Sequence, residues 1–282
     1  MNLFGYKAKR VFRSRGKFEL LLLEDPEAEF SSRYYFGKLV WKGEEPDEDA
    51  RKLTNEMEIF QSVQGGPFIM NMIARCQDQK KILLVLDLLP KRGKLSEWLK
   101  KPFFEEEVKF FAAEMLLGIE YLHSRGIIHK DIKPDKIGID RDGHVAIMGL
   151  ELSEYKEGPC WGIEQSKTGT PYYMAPEVGD KSYTEKVDWW SYGITLLTLL
   201  VGRRPPFQNC EDLVKIIDQN TPSSMSLVAA DFLKKLLKSN KEERLGARHR
   251  GAQEIKEHPF FSGIEWDKLL AREVPPPNLL MQ

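Results

Sequence analysis

Apolar and polar positions along the chain change period once. In the first ~90 residues the pattern is β-like: FELLLLE (18–24) and YYFGKLVWK (34–42) read as strands, separated by the charged turn EDPEAEFSS. The charged stretch 43–58 reads as a helix and KILLVLDLL (81–89) as a buried strand, after which Pro90 and the following KRG break the pattern. From Phe103 the period becomes helical, with Val108, Phe111, Ala112, Met115, Leu116, Ile119 and Leu122 on one stripe and Gly126 as the stop. The apolar run from Trp189 to Val201 is interrupted by Ser191, Gly193, Thr195 and Thr198, which makes it a core helix and not a membrane span. The pattern predicts a small β-rich lobe followed by a larger helical lobe, with a boundary near 88–94 and a cleft between them suited to a ligand.

Composition narrows the class. The 282 residues are 41% apolar and 11% aromatic, enough for a real core, so global disorder is excluded. Forty-two basic against 43 acidic side chains leave a net charge of -1, without the basic excess of a dedicated nucleic-acid binder. Cys76, Cys160 and Cys210 are sparse and lack metal-ligand spacing, as expected of reduced thiols. The opening MNLFGYKAKR has no apolar leader. The expectation is a cytoplasmic protein with no nucleic acid and no membrane span.

Chemistry enters with IIHKDIKPDKIGID (127–140), which alone would be a charged loop after a helix. It is followed in order by GTPYYMAPE (169–177), VDWWSYG (187–193) and EERLG (242–246). Together these resemble the eukaryotic protein kinase superfamily, whose catalytic loop is H-R-D-L-x-x-x-N. The resemblance implies an α+β, bilobal protein-kinase fold: a small β-rich N-lobe with one main helix over 1–88, a helical C-lobe over 89–266, and the start of a C-terminal tail over 267–282. In that frame Asp131 is the base that takes the substrate hydroxyl proton, Lys133 holds the transferring phosphate, and Thr170 completes the catalytic positions. Lys38 would contact the nucleotide phosphates and Glu56 would pair with it. Leu86 would guard the pocket, Asp87 and Leu89 would offer hinge backbone to an adenine, and Arg244 would pair with Glu177. Lys133 and GTPYYMAPE resemble serine/threonine kinases, and EHPFFSGIEWDKLLAREVPPPN (257–278) resembles the AGC group, including its receptor-kinase and ribosomal-S6-kinase-like members.

The departures from that pattern decide the functional expectation. With Phe18 set on the aromatic of the glycine-rich loop, only Gly16 remains; Ser14 and Glu19 take the outer glycine positions, and Glu19 would oppose a triphosphate. The metal-binding asparagine is replaced by Lys136, and the D-F-G aspartate by Gly149, the first residue of Gly149-Leu150-Glu151. Lys130 in place of arginine cannot make a forked grip on a phosphate at the activation-loop position Ser166. Lys94 stands where many AGC kinases carry a substrate-selecting glutamate. Bridging metals contribute several kcal/mol to phosphoryl transfer, so losing them costs roughly a thousandfold or more in rate. The resemblance therefore implies a pseudokinase, a scaffold or allosteric regulator whose partner is an active kinase or signalling complex, with ATP held without magnesium or not at all.

Several alternatives stay open at this level. One is an active, atypical serine/threonine kinase; another is a different transfer such as nucleotidylation. Lys136 could neutralise a phosphate, Glu151 could swing in as a metal ligand, or Lys136 could simply pair with Glu19 or Glu151. Candidate partner surfaces are the exposed face of helix 103–124 and the activation segment 154–168.

Overall fold

The computed structural model describes residues 1–28, 34–43, 48–90, 93–156, 169–178, 184–221 and 223–277. Strands β1 (Asn2–Leu3), β2 (Tyr6–Arg15), β3 (Phe18–Glu24), β4 (Tyr34–Trp41), β5 (Met72–Gln77) and β6 (Lys81–Asp87) form an antiparallel sheet in the order β1-β2-β3-β4-β6-β5. Helix α1 (Glu48–Ser62) packs on one face of it.

Alternation along the strands builds two faces. Leu21, Leu23, Leu39, Leu83 and Val85 form a small cluster on the outer face, closed by Leu3 of β1 and by Ala8 and Trp41. On the inner face Val40, Ile82, Leu84 and Leu86 join Leu53, Met57, Ile59 and Phe60 of α1 in the main core. Residues opposite one another on paired strands share a face, so Lys38 on β4, between Leu20 on β3 and Leu84 on β6, belongs to the inner face.

The larger lobe is built on α2 (Glu105–Ser124), with Glu105, Glu106 and Glu107 in its positively polarised first turn. Strands β7 (Ile127–Ile128), β8 (Ile137–Ile139), β9 (Val145–Ile147) and β10 (Glu154–Tyr155) lie along the cleft. Helix α3 (Lys186–Val201) is buried on all sides and ends at Gly202 in the left-handed region. Then come α4 (Cys210–Asn220), α5 (Leu227–Leu236), α6 (Ala252–Lys256) and α7 (Trp266–Leu270). This is a mixed α+β, bilobal arrangement, the architecture that the resemblance implies. No helix among the described residues is long and apolar enough to cross a membrane.

Three expectations are corrected. The helix expected over 43–58 continues to Ser62, because Ile59 and Phe60 extend its apolar stripe into the core; residues 44–47 lie outside the described residues. The strand expected over 81–89 ends at Asp87, where the backbone leaves the sheet. Helix α2 is covered from Val108 to Ile119 except at Lys109, so its exposed positions lie at its two ends and not along a continuous face, and its polar Glu114 is spent inside on His144 (2.6 Å) and the Val145 amide (2.7 Å).

Candidate functional site

The loop after β7 is held from below by Asp188 in the first turn of α3. Its fully buried carboxylate accepts from the backbone amides of His129 and Lys130, both at 2.8 Å, and lies 2.8 Å from His123 Nε2. Burial opposes the charge, yet these donors hold the Asp188 carboxyl below its usual range. The grip fixes Lys130 at φ +68°, a left-handed conformation that an ordinary side chain adopts at a cost. The Lys130 ammonium pairs with Glu154.

Asp131 follows, buried, and is met by two other predicted residues. Lys133 Nζ donates to both its oxygens at 2.9 and 2.7 Å, and the Thr170 amide and hydroxyl donate to Oδ1 at 3.2 and 3.0 Å. Lys133 also bonds the Thr170 hydroxyl. Asp131, Lys133 and Thr170 are thus one hydrogen-bonded group.

Across the cleft, Lys38 Nζ grips both oxygens of Glu56 at 2.6 and 2.8 Å, with Lys38 8% and Glu56 1% exposed. Burial pushes the Glu56 carboxyl up to about 7, Lys38 pulling it down and the nearby Glu151 pushing it further up. Glu151 links the two halves. Its Oε2 stands 3.5 Å from Lys38, its Oε1 pairs with Lys136, and Lys136 lies 3.9 Å from Asp131. Burial disfavours the Glu151 charge, but Lys38 and Lys136 together hold its carboxyl well below the usual range. The cleft is therefore spanned by alternating charges: Glu56, Lys38, Glu151, Lys136, Asp131, Lys133. Of the two pairings open for Lys136, the structure adopts Glu151.

Gly149 sits at φ +80°, and a Cβ built there would meet Lys136 Nζ at 2.6 Å and Cε at 2.8 Å. The lysine side chain fills the space that a larger residue at 149 would need. An amide-bound α1 side chain steadies this segment, Asn55 donating to the Ser153 carbonyl at 3.0 Å. A magnesium ion does not fit these residues: position 149 has no carboxylate, position 136 presents an ammonium, and the nearest remaining carboxylate is committed to that ammonium. Among the described residues no group of three His, Cys, Asp or Glu side chains is arranged to hold a metal.

The hairpin joining β2 and β3 corrects the reading of its glycine positions. Gly16 is at the tip, φ +58°, with Arg15 opposite Phe18 and Ser14 opposite Glu19. Glu19 is opposite Leu39 on the outer face and accepts from Trp41 Nε1 at 3.3 Å, so it does not face a ligand in the cleft. The cleft-side residues beside the tip are Arg13, Arg15 and Phe18. Gly16 has no atom near its would-be Cβ and is not brought to the charged chain.

At the back of the cleft Leu86 is fully buried, and Asp87 is tied to Asn71 by a side-chain bond of 2.9 Å. Leu89 folds onto β8: a Cβ on Gly138 would meet its Cδ1 at 2.8 Å. Above, Phe36 is opposite Leu86 and stacks on Phe12, centroids 6.3 Å apart. Ser166 lies outside the described residues. Sequence reading missed Arg13 and Arg15; the signal for them is the strand register of YKAKRVFRSR, which the short β-type runs downstream overshadowed.

The description "Protein kinase domain" matches residues 29–261. The chain is 37% identical over 260 residues to ribosomal protein S6 kinase 2 alpha of Gallus gallus, covering 88% of this chain and 33% of that protein. It is 36% identical over 260 residues to human ribosomal protein S6 kinase alpha-1, covering 88% and 34%. To cAMP-dependent protein kinase type 3 of Saccharomyces cerevisiae it is 35% identical over 232 residues, covering 79% and 57%. The chain thus spans about a third of these ribosomal S6 kinases and 57% of the yeast kinase.

Proposed function

The chain belongs to the protein kinase domain family, with AGC-type relatives, and from that premise we propose that it works as a pseudokinase, a scaffold or allosteric regulator in signalling. The observation that carries this is the Lys136 side chain in the space beside Gly149, locked to Glu151. Family members use ATP with metal ions that bridge and neutralise the phosphates. Here an ammonium stands among the positions that would hold such an ion, and it repels one. Asp131 alone supplies general-base assistance of about 10²–10⁴-fold, which needs an oriented nucleotide to act on. The architecture around it, Lys38–Glu56, Asp188 and Glu177–Arg244, serves a rigid binding fold equally well.

The test is a phosphotransfer assay with ATP in magnesium or manganese, on the chain and on Asp131→Asn, beside a thermal-shift titration of ATP with and without metal. The expected result is no transfer that depends on Asp131 and no stabilisation that requires a divalent ion. Metal-dependent transfer abolished by Asp131→Asn would overturn the reading. It would favour the second one, an atypical serine/threonine kinase, whose support is the closed Lys38–Glu56 pair together with the assembled Asp131–Lys133–Thr170 group.

A further inference from the structure

Charge is unevenly placed along the chain. Six of the 42 basic and none of the 43 acidic side chains fall in residues 1–18, so this stretch carries +6 and the rest of the chain -7. Strand β2 holds most of the excess, and every residue from Lys9 to Lys17 is exposed. Ladder pairing puts Arg10, Arg13 and Arg15 opposite Leu22, Leu20 and Phe18, in line on one side of the strand. These cations are largely unspent: Lys9 pairs with Glu24, while Lys7, Arg10, Arg13 and Arg15 make no ion pair with a described residue. On its free side β2 meets another strand only at Tyr6 and Lys7, which pair with β1.

Keeping other strands off an open sheet edge accounts for some charge there. It does not account for the whole run, because register shifts between Ala8 and Arg10 and between Val11 and Arg13 already break the row of backbone donors and acceptors. Nor does it account for Val11 and Phe12, which lie in the middle of the cations at 51% and 47% exposure. Apolar side chains on an exposed edge invite association, which is the opposite of protection. Arg10 lies over the Phe12 ring, 5.5 Å from its centroid, so cation and apolar group form one unit at the surface.

We infer that the free edge of β2 is a peripheral contact for an anionic lipid surface, on which the protein lies without spanning the bilayer. Acidic headgroups present a planar, diffuse field of negative charge, and each Lys or Arg brought within a Debye length of it adds to the attraction. The run from Lys9 to Lys17 extends about 25 Å at the rise of a strand, long enough to meet several headgroups at once. Guanidinium groups grip phosphate oxygens bidentately. Val11 and Phe12 leave water for the boundary between headgroups and acyl chains, while the long arginine stems keep their charged ends at the surface. An acidic protein segment is the competing occupant. Its usual way onto a strand edge is as an added strand, which the two register shifts disfavour, and it gives no special place to apolar side chains flanked by cations. A lipid contact here goes beyond the pseudokinase reading and does not depend on it, since β2 is outside the charged chain of the cleft.

Co-sedimentation of the full chain with vesicles of phosphatidylcholine alone, and of phosphatidylcholine mixed with phosphatidylserine, tests it. Binding to the mixed vesicles only is expected, weakening as salt rises. Arg10→Ala/Arg13→Ala/Arg15→Ala is expected to lower that binding about tenfold or more. The control Lys100→Ala/Lys101→Ala/Arg203→Ala removes the same charge from exposed positions of the larger lobe and is expected to change it less than about twofold. Val11→Ser/Phe12→Ser keeps every cation and is expected to lower vesicle binding about threefold or more while leaving polyglutamate binding unchanged. Circular dichroism of each variant confirms that it is folded. No binding to the mixed vesicles, or equal losses in both triple variants, would overturn the inference. Vesicle binding that is indifferent to Val11→Ser/Phe12→Ser and is competed away by polyglutamate would also overturn it, and would assign the edge to an acidic protein.

Discussion

Lys136 and Gly149 share one volume: the lysine Nζ and Cε lie 2.6 and 2.8 Å from where a β-carbon on residue 149 would stand. The two departures from the family pattern therefore meet in space: the lysine side chain lies where a side chain at 149 would begin, and Glu151 supplies its counter-charge.

Gly149→Asp alone is expected to destabilise the fold by about 1–2 kcal/mol, chiefly because it puts a side chain at φ +80°. Combining it with Lys136→Asn clears the space beside residue 149 but leaves the left-handed backbone, so most of that loss is expected to remain. The double variant also regains oxygen ligands at both positions, so its ATP thermal shift should become magnesium-dependent. Urea unfolding of the three proteins and a metal-dependent thermal shift check both parts.

Glu56 gives a pH signature. Its carboxyl is raised to about 7 in the fold from an ordinary value near 4.5, so between those values the native state holds the proton that the unfolded chain has released. Its contribution to stability is present below pH ~4.5 and is lost as pH rises through about 7. The difference in unfolding free energy between the wild type and Glu56→Gln should fall across that window, on the order of 3 kcal/mol at most, and be flat above it. Denaturant titrations at pH 5, 6, 7 and 8 measure it. A difference that rises with pH would reverse the assignment.

Arg244 has all of its nitrogens engaged: Nη1 and Nη2 donate to Glu177 at 2.6 and 3.0 Å, and the Lys186 and Lys238 carbonyls accept the remaining bonds. Its guanidinium also lies 5.2 Å over the Trp190 ring. Arg244→Ala leaves the Glu177 carboxylate buried and unpaired and is expected to cost about 3–5 kcal/mol. Arg244→Lys should recover less than half of that, because an ammonium cannot reproduce the fork. The urea midpoints of both variants test this.

Much of this was legible in the sequence, and the physical reason differs by element. Strands β3, β4 and β6 show because both faces of a central strand are buried, giving dense apolar runs such as KILLVLD. Strand β2 was missed because it is at the edge: Val11 and Phe12 are 51% and 47% exposed and the rest of the strand is largely charged, so no apolar alternation marks it. The same blindness put Glu19 on the cleft side, since strand register follows from pairing with Leu39 and Trp41, which lie far along the chain. The Asp131–Lys133–Thr170 group was legible because its residues come from recognisable segments. The link from Lys38 through Glu151 to Lys136 was only one of several pairings, because choosing among long, flexible charged side chains needs coordinates.

The Lys136–Glu151 pair should behave as a coupled unit. Lys136→Met strands the Glu151 carboxylate, whose Oε2 makes no hydrogen bond and has Lys38 only at 3.5 Å. Glu151→Leu strands the ammonium of Lys136 beside Gly149, with Asp131 3.9 Å away. Each single change is expected to cost about 1–3 kcal/mol, since the pair is only partly screened by solvent. The double variant Lys136→Met/Glu151→Leu removes both charges and should lose less than the sum of the two, with a coupling energy of about 1 kcal/mol or more. Strict additivity would mean that the two side chains act independently, and that the charge alternation across the cleft does not hold its two sides together. A double-mutant cycle in urea at pH 7.5, where Glu151 is ionised in both states, measures the coupling directly.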